Sequence, residues 1–181
     1  MRMETTDETL AQAAANGDRE AFSLLLARSY DRLFGLCFRL TGSRADAEDL
    51  TQDICASLPA KLGSYKRQAR FSTWLYRVAV NAAHDRRRRH ASHARAADGW
   101  GDWELNRVAS NKETQDGIDW LTQAMSGLTQ GLRDTLALTL EDEMTHREAG
   151  EVLGVSEGTI SWRMAEVKKH LRALHEEEQK A

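Results

Sequence analysis

Proline is nearly missing from this chain: Pro59 is the only one among 181 residues. With so few interruptions, almost the whole chain reads as helix. Cysteine is almost as scarce. Cys37 and Cys55 stand far apart and neither belongs to a pair with metal-ligand spacing. Cys37 falls on an apolar helical stripe and reads as a buried core thiol. No apolar run approaches the roughly 20 residues that a membrane span needs. The opening Met-Arg-Met-Glu-Thr-Thr-Asp-Glu is too polar and acidic for a secretory signal. A cytoplasmic protein without membrane insertion is expected. Strand-like alternation, internal repeats, a nucleophile elbow, a phosphate loop and a His-Glu-x-x-His motif are all missing. No catalytic residue, bound metal or cofactor is therefore expected.

The last quarter is the most informative part of what is present. Thr145 and Glu148 have capping-box spacing, so a helix can start there. Ala149, Val152 and Leu153 give it an apolar side, and Gly154 supplies the positive φ that ends it. Ser156 can cap a second helix, along which Ile160, Met164, Val167, Leu171 and Leu174 recur at helical spacing. Ser161, Arg163, Lys168, Lys169 and Arg172 stay off that stripe. This is a helix-turn-helix pattern, whose second helix usually enters a DNA major groove; the plainer alternative is an ordinary helical hairpin. Arg163 is the best candidate for a strong contact to a guanine or a phosphate, whereas Trp162 is expected to pack against its own domain.

Net charge is −3, but the charges are segregated. Between Lys61 and Arg95 ten cations face a single acid, Asp85. Arg77, Asn81, His84 and Arg88 recur at four-three-four spacing on one helix face, opposite Trp74, Leu75 and Val78. Such a face can neutralise phosphates. Asn81 can bond a base edge, and Tyr65, Phe71, Trp74 and Tyr76 could stack unpaired bases or simply form a core. Asp46, Asp49 and Asp53, with Glu48 nearby, share a face of an earlier helix. Three carboxylates can bind a divalent metal, dock a basic partner or remain solvated; no glycine-rich ligand loop or histidine on that helix supports the metal.

Three amphipathic helices, bearing stripes such as Phe22-Leu25-Leu26-Leu33-Phe34-Cys37-Leu40 and Ala47-Leu50-Ile54-Leu58, share enough apolar surface for one N-terminal core. Pro59 should kink or end the second of these, and the third starts near Ser72 and buries Phe71, Trp74, Leu75, Val78 and Ala82. From Ala91 to about Gln115 the pattern fails and reads as a linker, with Trp100 and Trp103 able to dock on something. A second helical domain, packing Ile118, Leu121, Met125, Leu128, Leu132, Leu136 and Leu140, leads into the helix-turn-helix.

Taken together, Asp46-Ala-Glu-Asp-Leu-Thr-Gln-Asp53, Phe71-Ser-Thr-Trp-Leu-Tyr-Arg-Val-Ala-Val-Asn81, the basic run and Leu153-Gly-Val-Ser-Glu-Gly-Thr-Ile160 resemble a bacterial sigma factor of the extracytoplasmic-function (ECF) group. The resemblance implies an all-α chain of two small helical domains: sigma region 2 over residues 1–90 and sigma region 4 over 116–181, joined by a flexible linker over 91–115. It implies binding to core RNA polymerase through Asp46, Glu48, Asp49, Gln52 and Asp53. It implies minus-10 DNA contacts from Arg70, Arg77, Asn81, His84 and Arg88. Minus-35 contacts would come from Ser156, Glu157, Thr159, Ser161, Arg163 and Lys168. Promoter recognition rather than catalysis is implied, under the control of an anti-sigma factor. Rival readings are a DNA-binding regulator that never touches polymerase and a metal-dependent nuclease using Asp46, Asp49 and Asp53. Two departures stand out: Ala149–Gly150 replaces a bulkier pair, which would loosen the first helix of the motif, and Ser161–Trp162 replaces the more usual Lys-Ser.

Overall fold

The first three helices begin where a short polar side chain can take the place of the missing carbonyls. Thr6 accepts from the Thr9 amide and starts α1, Asp7–Ala15. Asp18 accepts from Glu20 and Ala21 and starts α2, Arg19–Thr41, which Gly42 ends at φ 69°. Ser43 accepts from Asp46 and starts α3, Arg44–Lys61. Caps of this kind stabilise a helix by about 1 kcal/mol each. The computed structural model describes residues 5–96, 124–125, 127–140 and 144–179.

Pro59 does not end α3. It lies inside the last turn, the helix runs on to Lys61, and a 3-10 turn at Leu62–Ser64 follows. So close to the C-terminus, the missing N–H removes only one of the last bonds. Helix α4 spans Phe71–Ala96, so it continues through the start of the expected linker. Trp100, Trp103, Ile118 and Leu121 lie outside the described residues.

The chain divides into two units, Met1–Ala83 and His84–Ala181, with the division inside α4. In the first, α1 packs on α2 and α2 on α3. Leu25, Leu33, Leu36, Cys37 and Leu40 of α2 are buried with Ala47, Leu50, Ile54 and Leu58 of α3. The core side of α4 is turned from the expected stripe. Phe71, Leu75, Tyr76, Ala79, Val80 and Ala83 are buried, while Trp74, Val78 and Ala82 are only half-buried. Alanine at 79 and 83 hides this face from a reading by hydropathy, because small residues carry little hydropathic signal even when fully buried.

The start of α4 has a distant cap. Glu8 Oε1 of α1 accepts the Phe71 amide at 3.2 Å. Its own backbone N–H, the Phe71 amide and Arg67 together hold the Glu8 carboxyl below the usual range, against the opposing effect of burial.

In the second unit, Thr129 precedes α5, Gln130–Thr139. Arg133 donates to the carbonyls of Met125 and Leu128, both at 3.1 Å, and so ties down the segment ahead of its own helix. Leu136 and Leu138 are buried, whereas Leu140, expected in the core, is 43% exposed just past the helix end. Thr145 and Glu148 complete a full capping box at the start of α6, His146–Leu153. Gly154, at φ 68°, ends α6, and Ser156 caps α7, Glu157–Glu178.

Gly150 does not loosen this motif. Its carbonyl takes the amides of Gly154 and Val155, and a Cβ built on it would stand 2.7 Å from the Val155 carbonyl oxygen. Only glycine lets the turn fold back this tightly. Gly150→Ala is expected to lower the stability of the second unit by about 1–3 kcal/mol, the usual range for overpacking, with a matching fall in the urea midpoint.

A pH dependence follows for Glu8. Its pKa is lowered on folding, so its stabilisation is complete above the ordinary glutamate value and is lost as pH falls through the lowered one. The stability gap between the wild type and Glu8→Gln, measured by urea titration, should be largest at neutral pH and close across that acidic window.

Candidate polymerase and DNA interfaces

Helix α3 separates its faces cleanly. Ala47, Leu50, Thr51, Ile54 and Leu58 turn inward, which places Glu48, Asp49, Gln52 and Asp53 outward, all exposed, with Asp46 half-buried. Arg44 pairs with Glu48 at 3.0 Å, one turn apart and well solvated; such a pair contributes little. Among the described residues no group of three or more His, Cys, Asp or Glu is disposed to hold a metal ion. The face is acidic and open to solvent.

Helix α4 carries the second candidate. Arg77, Asn81 and Arg88 are exposed along it, as is Arg70 just before it. Arg88 pairs with Asp85. The expected fourth member of the stripe, His84, is engaged within the second unit: its Nε2 lies 2.7 Å from Oδ2 of Asp134, a buried carboxylate. Gln130 donates to the other oxygen at 2.8 Å, and Arg87 stands 3.6 Å from it. Burial pulls the Arg87 pKa below its ordinary value, while Asp134 works in the other direction.

Of the four aromatics considered for base stacking, Phe71 and Tyr76 are buried at 1% and 3% exposure and cannot reach a nucleotide. Tyr65 and Trp74 remain partly open. They pack on each other and on Phe71 with ring centroids 5.5–5.7 Å apart, and the Tyr65 hydroxyl donates to the Ala69 carbonyl at 2.8 Å. The cluster thus has a buried base and a partly open rim.

The third candidate is α7. Ile160 and Val167 are fully buried and set its inner side; Ser156, Glu157, Ser161 and Lys168 are exposed, and Thr159 is half-buried. Ser156 accepts the Thr159 amide at 3.1 Å, so it is occupied as a cap. Ser161 Oγ lies 2.9 Å from Nδ1 of His146 in α6. Arg163 is half-buried and lies over Gly131 of α5: a Cβ there would stand 3.1 Å from the guanidinium carbon. Trp162 corrects the sequence reading. It does not pack on its domain but stands 62% exposed.

The two thiols lie in the first unit. Cys37 is fully buried, and desolvation raises its pKa to about 11; Cys55 is partly open, its pKa also raised by burial. Only thiolate reacts quickly. In the native protein at pH 8 a thiol reagent should therefore label Cys55 slowly and Cys37 only on unfolding, which mass spectrometry of the two peptides would resolve.

Comparison with known proteins identifies the two helical regions. Sigma-70 region 2 matches residues 25–93 and Sigma-70, region 4 matches 124–173. The chain is 30% identical over 173 residues to the ECF RNA polymerase sigma factor SigM of Mycobacterium tuberculosis (strain ATCC 25618 / H37Rv), covering 96% of this chain and 86% of that one. It is 28% identical over 167 residues to SigW of Bacillus subtilis (strain 168), covering 86% and 89%. Among solved structures, CnrH in complex with the cytosolic domain of CnrY aligns with a TM-score of 0.73 at 24% identity, over 94% of this chain and 97% of that one. The sigma factor RpoE in complex with the anti-sigma factor NepR from Bartonella quintana aligns at 0.77 and 21%, over 87% and 98%.

Proposed function

Because the chain belongs to the extracytoplasmic-function sigma factors of bacterial RNA polymerase, we propose that it docks on core polymerase through the outer face of α3, meets the minus-10 element with α4 and reads the minus-35 element with α7. The observation that carries this reading is the separation of charge. Glu48, Asp49 and Asp53 are exposed on one helix, while Arg77, Arg88, Lys168, Lys169 and Arg172 are exposed on others. A regulator that only bound DNA would have no use for the acidic face.

In this role the chain performs no bond-making chemistry of its own. It directs an enzyme whose reacting groups are in other subunits, and it acts in the cytoplasm where that enzyme transcribes. Among the described residues no helix is long and apolar enough to cross a membrane. We place region 2 at residues 1–90 and region 4 at 116–181, with 91–115 between them. Arg70, Arg77 and Arg88 hold phosphates, and Asn81 reaches a base freed from the duplex. His84 contributes to this face only when it lets go of Asp134. Glu157 and Thr159 begin α7, where helix-turn-helix proteins contact base edges and phosphates. Control comes from an anti-sigma factor that covers these same charged faces. RpoE is held by an anti-sigma factor in its solved complex, and this chain shares its fold.

Charge reversal at Asp49 and Asp53, both to Lys, should weaken binding to core polymerase by tenfold or more while leaving the helical circular dichroism unchanged. Core affinity that stays at the wild-type value would remove α3 from the docking surface. At the minus-10 element, Asn81→Ala should reduce permanganate-reactive thymines in open complexes more than it reduces binding to duplex carrying only the upstream element. Equal opening by both proteins would show that Asn81 is not a base contact.

A further inference from the structure

Trp162 is the most exposed of the large hydrophobic side chains among the described residues. Burying an indole contributes more than burying almost any other side chain, so leaving one in water is costly unless something covers it in the working state. Its place on α7 says what that is. The helix has a continuous outer strip made by Gly158, Trp162, Ala165, Lys169 and Arg172, all exposed and spaced by three or four residues. Gly158 and Ala165, the neighbours one turn either side of the indole, have almost no side chain. They leave the backbone free to approach a concave surface with the indole leading.

The cations on this strip lie further along, Lys169 about 10 Å and Arg172 about 15 Å from Trp162 at 1.5 Å per residue. That distance matches a helix that enters a major groove by its N-terminal turns while its later turns cross the phosphates. The charge chooses a polyanion as the occupant rather than an apolar protein groove. Arg163, the other strong candidate in these turns, is directed away from the strip and over Gly131 of α5. Ser161 shares its hydroxyl with His146.

We propose that Trp162 is a specificity-determining residue of the upstream-element contact: its indole packs against the C5-methyl of a thymine in the major groove, while Arg163 positions α7 on α5. In the major groove the thymine methyl is the one apolar feature that distinguishes a base pair. An exposed aromatic without a hydrogen-bonding fork is matched to it. This inference rests on the sigma-factor reading, since it requires α7 to meet duplex DNA.

The test uses holoenzyme assembled from core polymerase and the full chain. Sites are selected from a duplex library randomised across the upstream element, with wild type, Trp162→Ala and Trp162→Phe. Each thymine of the selected wild-type site is then replaced by uracil, which removes only the methyl. Wild type should lose about fourfold at one thymine, the worth of one methylene-sized group, and Trp162→Ala should show no loss there and a relaxed preference at that position. Trp162→Phe should keep a smaller preference. The inference is overturned if no uracil substitution weakens wild type, or if Trp162→Ala is as sensitive to uracil as wild type. It is also overturned if the alanine variant binds every site equally less well, or if only anti-sigma affinity changes. If wild-type holoenzyme selects no upstream motif at all, the sigma-factor reading itself fails, and the two failures are thereby told apart. Thermal melts of both variants confirm that an exposed position has been changed without unfolding the domain.

Discussion

The tight contact between Gly150 and the turn after α6 governs the second unit. The Gly150 carbonyl takes two amides from the turn, and the Val155 carbonyl lies where any Cβ would have to be. Nothing larger than glycine admits this approach, and the approach sets the angle at which α7 leaves the turn. Ile160 and Val167 then reach the core, and the rotation of α7 about its own axis follows. Which residues face outward is consequently decided several residues upstream, by a backbone contact and not by the polarity of the outward residues themselves. Thr145 and Glu148 reinforce it from the other end of α6, since their reciprocal bonds fix where that helix begins.

A related economy holds in the first unit. Helix α4 starts without a local cap, and Glu8 supplies one from α1. The carboxylate also faces Arg67, whose backbone is left-handed at φ 56° and whose guanidinium bonds Gln12 at 3.1 Å. The N-terminal helix is therefore part of what positions the α4 surface. The Tyr65–Phe71–Trp74 cluster lies next to this junction, with Phe71 buried beneath it. The half-open rim of that cluster is held by a buried ring and a bonded tyrosine hydroxyl, which limits how far it can rearrange.

Much of this was legible from residue order. Thr145 and Ser156 act locally, on amides three residues ahead, so their roles could be read without any tertiary information. The buried face of α3 repeats cleanly because Ala47, Leu50, Ile54 and Leu58 recur at three- and four-residue spacing. The α4 face was harder. Its inner side includes Ala79, Ala83 and Tyr76, none of which stands out on hydropathy, and Trp74 looked like core by chemistry alone. Pro59 and Leu140 depended on how far a helix had left to run, which periodicity locates poorly. The engagement of His84 with Asp134, a residue fifty positions away, had no local sign at all.

Trp162 and Arg163 are the sharpest case, because residue type argued the wrong way for the tryptophan. An indole suggests burial, and a guanidinium suggests a phosphate or a guanine. Yet α7 is rotated so that the strip through Gly158 and Ala165 points outward, and adjacent residues on a helix are about 100° apart. The side of Gly131 takes the guanidinium, because a glycine in α5 leaves room for its flat face. A cation inside that contact costs less than a buried indole gains only if the indole has another surface to cover. The same geometry explains how affinity and selectivity can be divided along one helix. On the proposed reading, the exposed Lys168, Lys169 and Arg172 would attract any duplex through its phosphates, with a strength set by salt and indifferent to sequence. The apolar contact at its leading turns is short-ranged and depends on a single methyl, so it contributes little to attraction at a distance and much to the choice between sites.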